Sequence, residues 1–483
     1  MYFPTLEEVK LLSNKGNLIP IYREVDADLE TPVSAYIKVS RPPYSFLFES
    51  VEGGEHLARY SFIGTEPESV IATGPGQING ETDPLTLLEN ILSKYSLVDT
   101  GDLPRFCGGA VGYLSYETIK YFEDVGTAPN DVLELPEAIL MLTKTFIVFD
   151  HVRHKIRIVS HAHINGPNIE ESYNRAIVEI NKITSRLNSP LDPSDIPRKS
   201  GYESTKTISN MDKSFHENMV DKCKQYVVDG DVIQTVVSQR FSKQTSAHPF
   251  HIYRSLRTIN PSPYMYYLDL DGFQIVGASP EMLVQLDKKN ITMHPIAGTR
   301  PRSDDVLEDK RLEIELLNDE KEKAEHTMLL DLGRNDVGRV SEPGSVNVTE
   351  IMGVERYSHV MHIVSTVKGD LENNLSCFDV FRACFPAGTV SGAPKIRAMQ
   401  IISELEKDQR GPYAGSVGYF DFAGNMDTAI AIRTMVYKDG VAHAQSGGGI
   451  VYDSNAQSEY DETIHKANAI MSAIESAEKT LDL

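Results

Sequence analysis

Between residues 264 and 295 four strand-like runs, 264–270, 273–277, 282–286 and 291–295, follow one another across spacers of two to four residues. Parallel neighbours need a crossover of about a dozen residues or more, so these spacers dictate antiparallel neighbours rather than alternating βαβ units. Similar runs, β-branched or aromatic and bounded by turn residues, recur at 33–39, 45–49, 110–115, 138–149 and 155–160. Beyond residue 200 they recur at 232–241, 345–348, 357–367, 416–421, 428–437 and 441–445, the last three reading as an antiparallel meander. Helical spacing is expected at 169–187, 212–229, 308–332, 376–384, 393–406 and in the C-terminal stretch. The fold class that follows is α+β, a large composite of mainly antiparallel sheets flanked by helices. At 483 residues the chain exceeds a usual single core. NSPLDPSDIPRKSGYES at 188–204 is the best linker, dividing a strand-rich part over 1–200 from a second part over 205–483. GAVGY at 109–113 and GSVGY at 415–419 are near copies, as two strands in related sheets would be.

Charge narrows the function classes. A formal net charge of −22 with no basic stripe argues against a nucleic-acid partner. Cys107, Cys223, Cys377 and Cys384 form no C-x-x-C pair, as expected of idle thiols in a reducing compartment. The N-terminus MYFPTLEEVK lacks the basic start and apolar run of a signal peptide. No apolar run is long enough to span a bilayer, so a cytoplasmic protein without a membrane partner is expected.

The stretch SGGGIVYDSNAQSEYDETIHK at 446–466 concentrates chemistry. Gly447, Gly448 and Gly449 let a ligand approach the backbone closely. On the helix that follows, Glu459 and Glu462 lie three residues apart on one face, and Lys466 stands one turn on. Glu322 and Glu325 repeat the acidic spacing on the helical run at 308–332. Brought together, the two pairs offer carboxylates to Mg2+, which favours oxygen ligands and keeps waters for a substrate to displace. A solvated acidic face is the bland alternative for either pair alone. Glu462-Thr-Ile-His465 fits a di-iron E-x-x-H, but that site needs the motif twice, and it occurs once.

Four other features carry both a functional and a structural reading. FPAGTVSGAPK at 385–395 precedes a helix that Ser391 is expected to cap, with Pro394 in the first turn. Such a start can hold an anion, although the order of Gly, Lys and Ser/Thr is not that of a P-loop. Arg433 interrupts an apolar strand, so it either exits at an edge or meets a buried carboxylate. His362 on a core strand is either structural or a site residue. Glu281, after Pro280 at a strand start, faces water or, if buried near a cation, serves as a general acid.

Together these segments resemble the chorismate-utilising enzymes, and within them the synthase components (component I) of anthranilate synthases. PIAGTRPR at 295–302, AEHTMLLDLGRND at 324–336, GTVSGAPK at 388–395, PYAGSVGY at 412–419 and SGGGIVYDS at 446–454 carry the resemblance. LFES at 47–50, RYSFIG at 59–64 and GGAVGY at 108–113 extend it more thinly into the first half. The resemblance implies a strand-rich regulatory part over 1–200 and a chorismate-binding catalytic part over 205–483. It implies Glu325 and Glu462 as Mg2+ ligands, with Glu322 and Glu459 supporting through water. Arg433, Tyr413, the Gly447–Gly449 backbone and Lys466 would receive the enolpyruvyl carboxylate, while Gly298 and Thr299 line the ring. Glu281 would protonate the departing 4-hydroxyl and His362 assist pyruvate elimination, with Thr389 and Lys466 in the catalytic group. The glycine run is usually G-A-G in the family, and Gly333 replaces a common alanine; neither touches the chemistry.

Two positions separate the family's members. Enzymes that add water carry a lysine base where Gln234 stands, and aminodeoxychorismate synthases carry lysine where Ala297 stands. Glutamine cannot deprotonate water and alanine cannot act as a nucleophile, so both favour anthranilate. Aminodeoxychorismate synthesis and a non-catalytic chorismate or tryptophan sensor are the competing readings. No G-x-C-x-G-x-Q segment occurs, so ammonia is expected from a separate glutamine amidotransferase subunit, in a hetero-oligomer. An inhibitory L-tryptophan site is implied at Glu49, Ser50, Asn260, Pro263, Tyr264 and Met265.

Overall fold

On the strand Gly109–Leu114, Ala110 and Leu114 join one apolar cluster while Val111 and Tyr113 join another, as alternation across a strand requires. A strand buried on both faces lies between two layers, and that is the plan of the molecule. The computed structural model describes residues 1–50, 59–101, 103–191, 201–357 and 360–480.

Two large sheets are stacked. The twelve-stranded one runs Leu18–Asp26, Lys155–His163, Thr145–Asp150, Tyr60–Thr65, Ser45–Glu49, Tyr264–Leu270, Phe273–Ser279, Thr434–Lys438, Val441–Ile450, Gln234–Gln244, Gly392–Ala393, with Ile208–Ser209 also on Gln234–Gln244. The ten-stranded one runs Ile296–Pro301, Val360–Asp370, Asn290–Met293, Met282–Asp287, Met426–Ile430, Ser416–Asp421, Gly109–Leu114, Ala138–Thr143, Ser69–Thr73, with Asn347–Arg356 also on Val360–Asp370. Neighbouring strands pair antiparallel, but the four runs at 264–295 form two hairpins in different sheets, because the short spacer at 280–281 joins the sheets instead of pairing its flanking strands. Segments before and after residues 188–204 sit side by side in both sheets: Ser45–Glu49 pairs with Tyr264–Leu270, and Gly109–Leu114 with Ser416–Asp421. Residues 192–200 of the expected linker lie outside the described residues.

Phe46, Val148 and Tyr266 of one sheet meet Val111, Ile139 and Tyr419 of the other in the core between them. Helices flank the sheets, Ile169–Asn188, Pro249–Ile259, Ala456–Thr480 and Lys395–Leu405 on the larger and Cys377–Cys384 on the smaller. Each fully buried Leu, Ile or Phe in these layers is worth roughly 1.5–3 kcal/mol. The near copies GAVGY and GSVGY are adjacent strands of the same sheet, Gly112 facing Gly418. Neither glycine has room for a side chain: a Cβ would lie 1.8 Å from the Ile139 carbonyl at Gly112 and 2.2 Å from the Asp427 carbonyl at Gly418.

Several expectations need correction. Residues 33–39 form the helix Pro32–Val39, because Thr31 and Ser34 make a reciprocal capping box and Pro32 starts the first turn. The run at 308–332 is two helices, Val306–Asn318 and Glu320–Gly338. Asp319 breaks it by accepting from the N–H groups of Lys321 and Glu322, and Arg300 holds it at 2.8 Å. The runs at 138–149 and 428–437 each divide into two strands in different sheets, so the meander at 416–445 is split. An unbroken apolar run does not reveal where a chain changes layer.

Candidate active site

The chain leaves one sheet for the other at Pro280–Glu281, between Phe273–Ser279 and Met282–Asp287, and again at Ala431–Arg433, between Met426–Ile430 and Thr434–Lys438. The two crossovers are bonded together. Ala278 N–H donates to the Arg433 carbonyl at 3.1 Å, Ile430 N–H to the Glu281 carbonyl at 3.1 Å, and Ser279 Oγ to the Ile430 carbonyl at 2.7 Å. Arg433 adopts φ +51°, a left-handed conformation that costs a non-glycine residue energy and is held by its surroundings. Sheet topology thus places the two crossovers, one carrying Glu281 and the other Arg433, side by side, although they lie far apart in sequence.

Glu281 is buried, and Thr389 Oγ1 donates to its Oε1 at 2.7 Å. Burial pushes its pKa up to about 7, with the Thr389 bond working the other way, so it can hold and release a proton near neutrality. Thr389 sits on the single turn Gly388–Val390. Ser391 does not cap the following helix as expected: its Oγ donates to the Ala387 carbonyl at 2.8 Å, and Pro394 occupies the cap position of Lys395–Leu405.

His362, on Val360–Asp370, has Nδ1 at 2.8 Å from the Gly298 carbonyl and 3.2 Å from Thr299 Oγ1. The carbonyl can only accept, so Nδ1 carries the hydrogen and the Nε2 lone pair is the basic one. Burial lowers the His362 pKa and keeps the ring neutral at pH 7. Gly298, at φ +68°, has Glu322 Oε2 3.2 Å from where a Cβ would be.

The two acidic pairs come together. Glu322 and Glu325 lie on Glu320–Gly338; Glu459, Glu462 and Lys466 lie on Ala456–Thr480. Burial raises the Glu325 pKa, the charges of Glu322 and Glu462 add to the rise, and Lys466 opposes it. Burial likewise raises that of Glu459, and Glu462 adds to the rise. Lys466 Nζ lies 2.6 Å from Glu462 Oε1 and donates to the Gly447 carbonyl at 3.0 Å. The glycine run lies within the strand Val441–Ile450: Gly447, Gly448 and Gly449 face Ser238, Val237 and Val236 in register. A Cβ at Gly448 would lie 2.9 Å from Glu459 Oε2, so the strand presses against the acidic helix.

Arg433 Nη1 donates to the Lys466 carbonyl at 2.5 Å. Burial lowers its pKa, while Tyr413 and Glu462 support its charge. The buried Tyr413 hydroxyl, its pKa pushed up to about 12 by burial, would lie 2.8 Å from a Cβ at Gly447. Arg433 thus touches the acidic helix Ala456–Thr480 directly, while Tyr413 stands against the glycine strand.

Among the described residues, no group of three or more His, Cys, Asp or Glu side chains makes a cage that could hold a metal ion. Mg2+ needs no such cage, since one or two carboxylates plus water and substrate oxygens satisfy it. Like charges that raise the Glu325 pKa are what a bound cation would relieve, so the donor set fits the ion.

A second cavity, about 420 Å³, lies between the sheets and is lined by Glu49, Ser50, Pro263, Tyr264 and Met265. Asn260, expected with them, instead ends the helix Pro249–Ile259 and is not among the lining residues. Arg105, Gln285, Tyr419 and Asp427 complete the far wall, and nothing in their local sequence distinguishes them from ordinary strand residues. Glu49 accepts from the Tyr253 hydroxyl at 2.5 Å and pairs with Arg257 at 3.1 Å.

The chain is similar to proteins of one family along nearly its whole length. A family model described as chorismate binding enzyme matches residues 44–472. The anthranilate synthase component 1 of Acetivibrio thermocellus is 46% identical over 99% of this chain and 99% of its own length. That of Saccharomyces cerevisiae is 44% identical over 99% of this chain and 97% of its own. The crystal structure of anthranilate synthase component I from Streptococcus pneumoniae superimposes with a TM-score of 0.78 at 39% identity, covering 92% of this chain and 98% of that one. The menaquinone-specific isochorismate synthase of Escherichia coli, at 17% identity and a TM-score of 0.72 over 97% of this chain and 98% of that one, shares the fold.

Proposed function

The chain belongs to the chorismate binding enzyme family, and on that premise we propose that it is the synthase component of an anthranilate synthase, converting chorismate and ammonia to anthranilate, pyruvate and water. The observation that supports the reading is a chain of mutual electrostatic influence, Glu281 with Glu325, Glu325 with Glu462, Glu462 and Tyr413 with Arg433, and Arg433 with His362.

Chorismate carries two carboxylates. Arg433 and the Tyr413 hydroxyl, with the Gly449 backbone and Lys466, bind the enolpyruvyl carboxylate, and Gly298 and Thr299 line the ring. Mg2+, held by Glu325 and Glu462 with Glu322 and Glu459 accepting from its waters, would draw charge from the ring carboxylate. Ammonia forms the bond to C2 as the C4–O bond breaks, and Glu281, supported by Thr389, gives its proton so that the hydroxyl leaves as water. In the second step the C2 proton departs, the C3–O bond breaks to release enolpyruvate, which takes up a proton at its methylene carbon to become pyruvate, and the ring becomes aromatic. His362 Nε2 is the neutral acceptor for that proton.

Gln234 supports ammonia over water as nucleophile. It is buried, and its Nε2 would lie 2.0 Å from a Cβ at Gly449, so an amide stands beside the substrate-facing glycine where a water-activating base would be needed. Ala297, also buried, offers no nucleophile for a covalent intermediate.

The ammonia source is a separate glutamine amidotransferase subunit, as the absence of a G-x-C-x-G-x-Q nucleophile from this chain supports. L-tryptophan is the occupant of the second cavity: Glu49 receives the ammonium, and Phe48, Tyr264 and Tyr266 flank the indole. No helix among the described residues is long and apolar enough to cross a membrane, in keeping with a cytoplasmic enzyme. Purified chain supplied with chorismate, Mg2+ and an ammonium salt should release fluorescent anthranilate and pyruvate in equal amounts. Accumulation of aminodeoxychorismate, or no turnover, overturns the reading.

A further inference from the structure

Arg410 is one of the largest fully buried side chains in the molecule, in the segment EKDQRGPYAG at 406–415 that leads to Tyr413. A buried cation is tolerated only when its N–H groups are met. Four of the five guanidinium N–H groups have partners here. Nε and Nη2 donate to the two oxygens of Glu406 at 2.9 and 2.8 Å. Nη1 donates to the Val390 carbonyl and Nη2 to the Val236 carbonyl, each at 2.7 Å.

The acceptors belong to separate walls of the cleft. Val390 follows Thr389 on the turn that reaches Glu281. Val236 stands opposite Gly449 in the sheet. Glu406 also accepts from the N–H and the Oγ of Ser238, which stands opposite Gly447. The guanidinium carbon lies 5.7 Å from the centre of the Tyr413 ring and 4.6 Å from that of Tyr116. Glu117 fixes the backbone on the way to Tyr413, accepting from the N–H groups of Arg410 at 2.8 Å and Gly411 at 3.0 Å.

We infer that Arg410, locked by Glu406, is a positioning residue that sets Tyr413 against the glycine strand and holds the Thr389 turn at Glu281, without touching substrate itself. The role rests on the function proposed above. Lysine in its place keeps the charge but has no planar fork, so it cannot hold carboxylate and two carbonyls at once.

The test is a double-mutant cycle read in KM for chorismate, with ammonium and Mg2+ saturating and thermal unfolding run alongside. Arg410→Lys should raise KM about tenfold or more, while in a Tyr413→Phe background the same change should add less than about threefold. A uniform structural weakening would instead multiply KM by one factor in both backgrounds, and that result overturns the inference, as does an unchanged KM in Arg410→Lys. If Arg410→Lys fails to fold, Glu406→Gln, which keeps the side-chain size and removes the carboxylate, is taken through the same cycle under the same criteria. No turnover by the unaltered chain defeats the reading of the site; turnover with multiplying factors defeats only the role given to Arg410.

Discussion

One pair of strands, Met282–Asp287 and Met426–Ile430, serves two cavities of opposite character. At its crossover end stand Glu281 and Ile430, and the cleft there is built of carboxylates, a guanidinium, an ammonium and glycine backbone. Four residues further along, roughly 13 Å at strand rise, Gln285 donates to Asp427 at 2.6 Å, and the cavity there has aromatic walls. The first site gathers charged groups, whereas the second is lined mainly by aromatic and apolar side chains with Glu49 and Arg105 among them. Polarity differs because of position: the crossovers release backbone and side chains from the sheet ladder, whereas the second cavity lies between intact strands whose inward residues must pack.

The largest effect that separates the two sites is expected at the acidic helices. Glu462→Gln should lower turnover about 10³-fold or more, with secondary structure unchanged and calorimetric tryptophan binding within about threefold of the unaltered chain. Loss of tryptophan binding as well would mean that the two cavities are not separable. Next, Glu281→Gln should lower kcat about 10²-fold or more, and the unaltered chain's kcat/KM should fall as pH rises through about 7, where the acid of the free enzyme loses its proton. A pH profile flat across that range would take the acid's role from Glu281. At the aromatic end, Glu49→Gln should raise the tryptophan concentration for half-inhibition more than about tenfold, because the ammonium loses its counter-charge. An unchanged half-inhibition value removes Glu49 from that site.

The smallest effect is on stability. The Glu281 pKa is raised on folding, from 4.5 to about 7, so the native state binds more protons than the unfolded chain across that window. Stability contributed by this group is therefore full below pH 4.5 and is lost as pH rises towards 7. Glu281→Gln lacks this loss and should gain about 1–3 kcal/mol over the unaltered chain at pH 8 relative to pH 4, read by chemical unfolding. A pH-independent difference would show that Glu281 is not held in a desolvating site.

The same contrast explains what the sequence disclosed. Antiparallel sheets were legible from spacers too short for crossovers, and the acidic pairs from their helical spacing, because both are local patterns. Glu281, His362 and Arg433 each carried a functional and a structural reading in their local sequence, and only motif resemblance chose between them and added Tyr413, since segments far apart in the chain surround them. The helix at Pro32–Val39 was missed because the capping pair Thr31–Ser34 outweighed a β-branched run. Arg410 and Glu117 carried no local signal: their meaning lies in carbonyls and N–H groups of segments up to 294 positions away. Asp427 and Gln285 of the second cavity were hidden for the same reason.

The central claim, that chorismate lies at the sheet crossovers and not between the intact strands, is tested most directly by a crystal of the Glu281→Gln variant soaked with chorismate and Mg2+. The account predicts the ring carboxylate towards Glu325 and Glu462 and the enolpyruvyl carboxylate on Arg433 and Tyr413. Chorismate bound in the aromatic cavity, or with its two carboxylates reversed, would contradict it.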